Sequence, residues 1–342
     1  MEEEEPREEE PVAVITGANS GIGLMVAKRL LSEVSSLSKP VRLCLACRSI
    51  DKAMATRKEL LQVHPFAHID VLEVDTSIPE SARSAAQELM KRYNNISWLF
   101  LNAGIMPIKG YNMKSLCNLN KDFWAKLFST GEGLLIYHDW TITNTNLQAV
   151  FATNVLGHYI MVRELEDYLK RQANTCHIIW TSSNTARTVR FDISDIQNKK
   201  CDGPYPHSKR LMDLLSLSIN KRLNKHGVYS DTVCPGMVVS QMTAAVMPLF
   251  IWYLILPIIL IIRLFITHFI TFKPENGSES LIWLAKNDPT LIDHSLKYFS
   301  RTPPCGATYI HKEKIPFTES LLINIWEEME TIADSVLLLD NE

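Results

Sequence analysis

The stretch Thr16-Gly17-Ala18-Asn19-Ser20-Gly21-Ile22-Gly23 decides the fold of this chain, because of the segments on either side of it. The apolar run at 12–15 predicts a buried strand, and the apolar spacing over 24–31 predicts a helix. A glycine-rich turn between a strand and a helix N-terminus can cradle the pyrophosphate of a dinucleotide. Its first glycine permits the turn, its second admits the phosphates to the backbone amides, and its third lets helix and strand pack closely. The candidate cofactor-binding residues in this turn are Thr16, Gly17, Asn19, Ser20, Gly21, Ile22 and Gly23.

Apolar runs recur along the rest of the chain with helical patterns between them. They begin near Val41, Ile69, Trp98, His177 and Tyr229, with a shorter candidate at 297–299. This alternation predicts an α/β fold, a Rossmann-like doubly wound parallel sheet. We expect one domain over 11–315, preceded by an acidic tail at 1–10 and followed by a C-terminal helix and tail at 316–342.

The G-x-x-x-G-x-G spacing resembles that of the short-chain dehydrogenase/reductase family, and further landmarks follow in the family's order. They are Asp75, Asn102-Ala103-Gly104, Asn154, Ser182-Ser183, the pair Tyr205 and Lys209, and Pro235-Gly236. The resemblance implies that Asp75, Asn102, Ala103, Gly104, Tyr205, Lys209, Pro235 and Gly236 bind the cofactor, with Asp75 on the adenine. It also implies that Tyr205, Lys209, Ser183 and Asn154 are catalytic.

The chemistry of a carbonyl reductase explains the Tyr205–Lys209 pair. Reduction by a nicotinamide needs an acid near the carbonyl oxygen, but free tyrosine, with a pKa of about 10, holds its proton too tightly. A lysine four residues on lies one helical turn away and can lower that pKa. We therefore predict that Tyr205 is the proton donor and Lys209 tunes it. The resemblance implies that Ser183 orients the carbonyl oxygen and that Asn154 holds a water that relays protons to Lys209.

Two intervals are longer than the plain family pattern requires, 104–154 and 183–205. Both follow the C-terminal ends of predicted strands, the side on which ligands bind in open α/β sheets. We expect both to shape the substrate site, with surface excursions as the alternative.

Arg48, which follows the second predicted strand, bears on the choice of cofactor. An acidic residue there would bind the ribose hydroxyls of NAD and repel a 2′-phosphate, whereas an arginine can pair with that phosphate. The sequence therefore favours NADP(H), with Arg48 as a further cofactor-binding candidate. The alternative is that Arg48 only caps an exposed strand end.

Pro206 and His207 depart from the small residues that the family places after its tyrosine. Proline is tolerated in the first turn of a helix, and Gly203-Pro204 upstream predicts that the helix begins there. Catalysis is expected to survive, and His207 is expected to be a bystander. The departure also motivates a rival hypothesis, a binding or scaffold protein that kept the fold and lost turnover.

Charge and cysteine content exclude several classes of protein. The chain has 342 residues and a formal net charge of −3, and its first ten residues include seven Glu and one Arg. This acidic head predicts a solvated tail and not a signal peptide, and no basic stripe suggests nucleic-acid binding. Cys44 and Cys47 form a C-x-x-C within a predicted strand, which favours core packing over metal or redox chemistry. We expect no metal site.

The segment 244–272 is the chain's second unusual feature. Residues 244–262 carry no charge, and this uncharged run is long enough to span a bilayer. Pro248 and Pro257 break the helical ladder, and a crossing would separate the predicted strand at 297–299 from its sheet. We therefore expect a membrane-associating insertion that enters one leaflet, with a single pass as the alternative.

The stretches 45–48, 101–107, 131–135, 163–166, 179–183 and 248–252, with the apolar run that follows, resemble most the family's ketosteroid reductases. This resemblance implies NADPH-dependent reduction of the 3-ketone of sterol intermediates in cholesterol synthesis, and of the 17-ketone of estrone, at the endoplasmic reticulum membrane with the catalytic domain facing the cytosol. The expected partners are a steroid substrate and a membrane, with a homodimer allowed for. A reductase of another lipid carbonyl, such as a retinal or a 3-ketoacyl chain, is the alternative.

Overall fold

An eight-stranded sheet forms the centre of the computed structural model. The structure describes residues 10–34, 40–112, 114, 134–138, 141–142, 146–187, 189–200, 203–239, 254, 257, 261, 268–304 and 306–339. The sheet strands are β1 Val12–Thr16, β2 Arg42–Cys47, β3 Ile69–Glu73, β4 Trp98–Leu101, β9 Cys176–Thr181, β10 Val228–Cys234, β11 Leu296–Arg301 and β12 Tyr309–Lys314. Two small antiparallel pairs follow β4, namely β5 Ile108–Tyr111 with β6 Leu135–Tyr137, and β7 Thr141–Ile142 with β8 Leu147–Gln148.

The strand order is β12-β11-β10-β9-β4-β1-β2-β3, and all neighbours are parallel except β11 and β12. The order reverses between β1 and β4, so the chain leaves a crevice at the carboxyl ends of these two strands, where open α/β sheets bind ligands. The predicted doubly wound parallel sheet is confirmed. The antiparallel edge strand β12 was not predicted.

Helices cover both faces of the sheet. They are α1 Gly21–Arg29, α2 Ile50–Val63, α3 Pro79–Arg92, α4 Ala149–Phe151, α5 Gly157–Arg171, α6 Pro204–Leu223, α7 Pro274–Gly277, α8 Glu279–Lys286 and α9 Glu319–Leu339. One apolar core joins the sheet to α3, α5, α6 and α9, and a second joins it to α1, α2 and α8. Cys44 and Cys47 are buried in β2, where burial raises the pKa of the Cys44 thiol to about 12. Both pack as core residues.

The predicted acidic tail and apolar insertion lie mostly outside the described residues. Of the first ten residues only Glu10 is described, and its carboxylate pairs with Arg42 and His68. Of the segment 244–272 the structure describes 254, 257, 261 and 268–272. Within the described ranges, no helix combines the length and the apolar character needed to cross a bilayer.

Candidate active site

The glycine turn joins β1 to α1 as predicted. Gly17 has a φ of +67°, a left-handed conformation that favours glycine. A Cβ on Gly23 would lie 2.4 Å from the Gly17 carbonyl oxygen, so the closeness of helix and strand requires glycine there. Ser20 precedes α1, and its side chain makes no hydrogen bond to the first amides of the helix. The turn therefore leaves backbone donors at a helix N-terminus, an arrangement that fits the pyrophosphate of a dinucleotide.

Thr16 ties this turn to the loop after β4. Its hydroxyl oxygen accepts from the backbone N–H groups of Asn102 at 2.8 Å and Ala103 at 3.0 Å. The Asn102 side-chain amide donates to the Thr16 carbonyl at 3.1 Å. Thr181, at the end of β9, donates to Asn102 Oδ1 at 3.3 Å. The sequence-predicted Asn102-Ala103-Gly104 thus lies at the switch point, beside the glycine turn.

Asn154 lies in a single π-helical turn, Ala152–Leu156, between α4 and α5, and is fully buried. Its Oδ1 accepts from the backbone N–H of Ile105 at 2.7 Å, and its Nδ2 donates to the Ile105 carbonyl at 3.0 Å and to Ser208 Oγ at 3.2 Å. The amide joins the loop after β4 to α6. Its predicted role in holding a water stays a prediction.

His158 is a site residue that the sequence analysis missed. Its Nδ1 lies 3.0 Å from the Asn154 carbonyl and its Nε2 lies 2.9 Å from Thr16 Oγ1. Burial lowers the pKa of His158 to about 4, so the ring is neutral at neutral pH. The carbonyl can only accept, so Nδ1 carries the proton and Nε2 accepts from Thr16. The sequence does indicate this residue, because His158 follows the predicted site residue Asn154 by one helical turn.

Ser183, Tyr205 and Lys209 meet at the carboxyl end of β9. The side chain of Tyr205 is hydrogen-bonded to that of Ser183 and is 8% exposed. The Lys209 ammonium lies 5.4 Å from the centre of the Tyr205 ring and donates to the Thr181 carbonyl at 2.7 Å. The structure thus brings together three of the four residues predicted to be catalytic, with Lys209 over the ring of Tyr205.

Burial dominates the electrostatics of this group. It raises the pKa of Tyr205 above its ordinary value, and the hydrogen bond with Ser183 opposes that rise. Burial, followed by the nearby Lys297 ammonium, lowers the pKa of Lys209 to about 7. The predicted lowering of the Tyr205 pKa by Lys209 therefore stays a prediction, while the hydrogen bond from Ser183 contributes a lowering effect in this structure.

Residues from both long intervals, 104–154 and 183–205, pack against the start of α6. Tyr137, on β6, stacks on Tyr205 with ring centres 6.2 Å apart, and Phe191 stacks on His207 at 4.8 Å. The helix begins at Pro204, so Pro206 lies in its first turn, as the sequence predicted. His207 is a packing residue, and burial lowers its pKa to about 4.

The remaining predicted cofactor residues surround the same edge of the sheet. Arg48 is exposed immediately after β2, and among the described residues it has no ion pair. Asp75 follows β3, and its carboxylate accepts from the backbone and hydroxyl of Ser77 at 2.9 and 2.6 Å. Pro235 and Gly236 follow β10, where Thr271 donates to the Pro235 carbonyl at 2.9 Å.

Lys297 and Asp213 form a buried ion pair behind Ser183, with 2.8 Å between Lys297 Nζ and Asp213 Oδ2. Neither was a predicted site residue. Asp213 follows Lys209 by four residues, as Lys209 follows Tyr205, so all three share one face of α6. The sequence also indicates Lys297, because a lysine within a predicted buried strand needs a polar partner.

Comparisons with known proteins agree with this geometry. The family model described as short chain dehydrogenase matches residues 11–131 and 138–248. The chain is 41% identical over 309 residues to the rat protein named 3-keto-steroid reductase/17-beta-hydroxysteroid dehydrogenase 7, covering 90% of this chain and 91% of that protein. The human protein of the same name is 41% identical over 319 residues, covering 93% and 92%.

Solved structures show the same fold at much lower identity. L-sorbose reductase from Gluconobacter frateurii, solved with NADPH and L-sorbose, is similar with a TM-score of 0.59 and 18% identity. The match covers 85% of this chain and 94% of that one. Together with the family model and the glycine turn, Ser183, Tyr205 and Lys209, these likenesses lead to one conclusion: the chain belongs to the short-chain dehydrogenase family.

Proposed function

We propose that this protein reduces the 3-ketone of sterol intermediates of cholesterol synthesis, using NADPH. The observation that carries the proposal is the meeting of Ser183, Tyr205 and Lys209 beside the glycine turn, in a chain 41% identical to proteins named for 3-keto-steroid reduction. The second half of that name supports a 17-ketosteroid as a further substrate, as in the reduction of estrone to estradiol.

The cofactor proposal rests on the shape of the turn and on the charge near it. The amides at the N-terminus of α1 would hold the pyrophosphate, and Gly17 and Gly23 allow the turn and the close packing that place these amides. Arg48, exposed after β2, would pair with the 2′-phosphate of NADPH. When bound, the reduced nicotinamide supplies the hydride that the ketone carbon accepts.

The side chains of the site supply the proton and the orientation. The Ser183 and Tyr205 hydroxyls lie together, so both can donate to one carbonyl oxygen, and the Tyr205 proton is the one transferred. Because the pKa of Lys209 is about 7, a share of the Lys209 side chains is protonated and charged at neutral pH. A charged Lys209 over the tyrosine ring stabilises the phenolate that proton transfer leaves.

Turnover of a 3-keto sterol tests this function. We expect microsomes that contain the chain to oxidise NADPH and form the 3-hydroxy sterol, and Tyr205→Phe to lose about 10²- to 10⁴-fold in kcat, the usual contribution of a general acid. Tyr229→Phe is the matched control, since Tyr229 stacks on His294 away from the site.

The same assay separates the rival functions. Faster reduction of retinal or a 3-ketoacyl substrate than of any 3-keto sterol would favour the other lipid carbonyls. Binding of NADPH by both the native chain and Tyr205→Phe, without reduction of any ketone, would favour a scaffold.

We further propose that the segment 244–272 enters one leaflet of the endoplasmic reticulum membrane, with the catalytic domain facing the cytosol. The backbone contacts between the two ends of this segment support the proposal. Val238 pairs with Phe272 in a parallel bridge, and three backbone hydrogen bonds of 2.9–3.0 Å connect 237–239 with 269–272. A chain that leaves and returns at neighbouring backbone positions suits an excursion, whereas a single crossing would part these residues.

Protease protection of tags in intact microsomes tests this topology. We expect tags at both ends of the chain to be cleaved from the cytosolic side. A protected C-terminal tag beside a cleaved N-terminal one would support the single pass and contradict the proposal.

The homodimer is also a proposal. Helix α9 contacts one side of α5, where Tyr159 donates to Glu330 and Arg163 pairs with Glu330 and Asp334. The proposal places the second copy away from these contacts. The mass of the detergent-solubilised protein by light scattering decides between one copy and two.

A further inference from the structure

The Lys297 ammonium makes three hydrogen bonds inside the protein. It donates to Asp213 Oδ2 at 2.8 Å, to Ser182 Oγ at 2.8 Å and to the Ser183 carbonyl at 2.7 Å. The residue is 3% exposed. These three bonds use all three N–H donors of an ammonium.

Two of these three bonds go to the turn that carries Ser183. Lys297 pairs with Thr232 on β10, and β10 in turn pairs with β9, so its side chain passes a whole strand to reach this turn. Ser182 itself donates to the Lys209 carbonyl at 3.0 Å. The same turn is therefore held from β11 on one side and from α6 on the other.

Sheet stability does not require an ion pair at this place. Removing two charges from water costs free energy, and an apolar pair of similar volume often serves stability as well or better. An apolar pair could not bond Ser182 and the Ser183 carbonyl, however. What Lys297 and Asp213 add is a fixed position for the serine next to Tyr205.

We propose that Lys297 is a positioning residue of this active site: with Asp213 as its counterion, it holds the Ser182–Ser183 turn so that the Ser183 hydroxyl faces Tyr205. Its effect on turnover rests on the proposed function. Its effect on the turn does not.

The pair also governs the charge around Lys209. The titratable groups near the Lys209 ammonium are Lys297, Asp213, Cys234, His158 and Tyr205. After burial, Lys297 is the next cause that lowers the pKa of Lys209, while Asp213 and Cys234 raise it. Removing Lys297 and removing the charge of Asp213 should therefore move the titration of Lys209 in opposite directions.

Four variants of the full-length chain test the proposal. Lys297→Met removes the ammonium, Asp213→Asn removes its counterion, and Lys297→Met with Asp213→Leu replaces both by apolar side chains. Asp231→Asn is the matched control, a buried carboxylate on β10 that binds His177 and His294. Each is measured for thermal unfolding, NADPH binding, kcat and KM against pH, and hydrogen exchange of the peptide covering 182–187.

We expect Lys297→Met and the double variant to lose about 10- to 100-fold in kcat, the scale of a small misplacement of a catalytic group, with NADPH binding changed by less than about threefold. The double variant should unfold near the native temperature. The alkaline limb of kcat/KM should move to higher pH in Lys297→Met and to lower pH in Asp213→Asn. Asp231→Asn should unfold at lower temperature with its pH profile unchanged.

Hydrogen exchange tests the positioning role of Lys297 even if the protein reduces no ketone. Faster exchange over 182–187 in both Lys297 variants, but not in Asp231→Asn, supports the positioning role whether or not a ketone is reduced. If the native chain reduces no ketone, the proposed function has failed and this measurement still decides. Native exchange over 182–187 in the double variant would overturn the proposal, as would native kcat.

Discussion

The side chain of Asn154 and the backbone of Ile105 are joined by two hydrogen bonds that run in opposite directions. Oδ1 accepts from the Ile105 N–H at 2.7 Å and Nδ2 donates to the Ile105 carbonyl at 3.0 Å. The amide thereby pairs with the peptide groups of the loop after β4, as a neighbouring strand would. A side chain that holds a cofactor loop in this way links the stability of the fold to the shape of the site.

Asn154→Ala should therefore destabilise the protein and weaken NADPH binding together. Two partly buried backbone groups of Ile105 lose their partners, each costing up to about 3 kcal/mol. Urea unfolding gives the free energy, and NADPH fluorescence gives the affinity. Asn287→Ala, which removes one exposed bond to the Trp283 carbonyl, is the control and should stay within about 0.5 kcal/mol of the native chain. Equal stability of the two variants would contradict the assignment.

Gly23→Ala should separate α1 from the glycine turn. The added Cβ would lie 2.4 Å from the Gly17 carbonyl oxygen and 2.7 Å from Asn102 Nδ2, so the helix must move. Overpacking of this kind costs about 1–3 kcal/mol, and we expect NADPH affinity to fall by at least about tenfold. Gly110→Ala is the control, because nothing lies within 4 Å of its Cβ position. Native affinity in Gly23→Ala would mean that the cofactor binds elsewhere.

Arg48→Asp should change the choice of cofactor. The substitution removes the proposed partner of the 2′-phosphate and puts a like charge beside it, which should cost about 1–3 kcal/mol of NADPH binding. NADH binding should change little or improve. Lys52→Asp, an equal change of charge on the exposed face of α2, controls for long-range effects. Equal weakening of both cofactors by Arg48→Asp would make Arg48 structural.

Asp231 should stabilise the fold in a pH-dependent manner. Burial alone would raise the pKa of this carboxyl, but the hydrogen bonds and charges of His177 and His294 hold it below its ordinary value. Its contribution is therefore complete above the unfolded pKa of about 3.9 and is lost as the pH falls through the lower folded value. The difference in unfolding free energy between the native chain and Asp231→Asn should shrink below about pH 4.

Urea unfolding from neutral pH down to the acid transition measures this difference. Glu59→Gln is the control, since Glu59 is an exposed carboxylate on α2. A difference between the native chain and Asp231→Asn that stays constant with pH would show that the carboxylate is not the titrating group.

Local patterns made the fold and most of the site predictable. The seven parallel strands were visible because each is a short apolar run that ends at a polar or glycine-rich turn, as β1 does at Gly17. Tyr205 and Lys209 were visible because their spacing is helical. In both cases neighbouring residues in the sequence carry the signal.

The interactions between distant residues were not predictable in the same way. Lys297 reaches Ser183 across β10, and the π-helical turn that aims Asn154 at Ile105 leaves no periodic pattern. Lys209 donates to the Thr181 carbonyl, and no local spacing predicts a contact between residues 28 positions apart. The antiparallel β12 was missed because its side chains are mostly exposed, so its composition resembles that of a loop.

The pairing of β11 with β10 has a consequence for the order of synthesis. Thr232 and Lys297 pair in register although 65 residues separate them, and the apolar insertion lies between them in the chain. A ribosome releases the insertion before it releases Lys297, and non-local parallel pairing of this kind forms slowly. The segment 244–272 is therefore synthesised before Lys297 can donate to Ser182 and to the Ser183 carbonyl. Under the proposed topology, this segment can enter the membrane before the serine turn of the active site is complete.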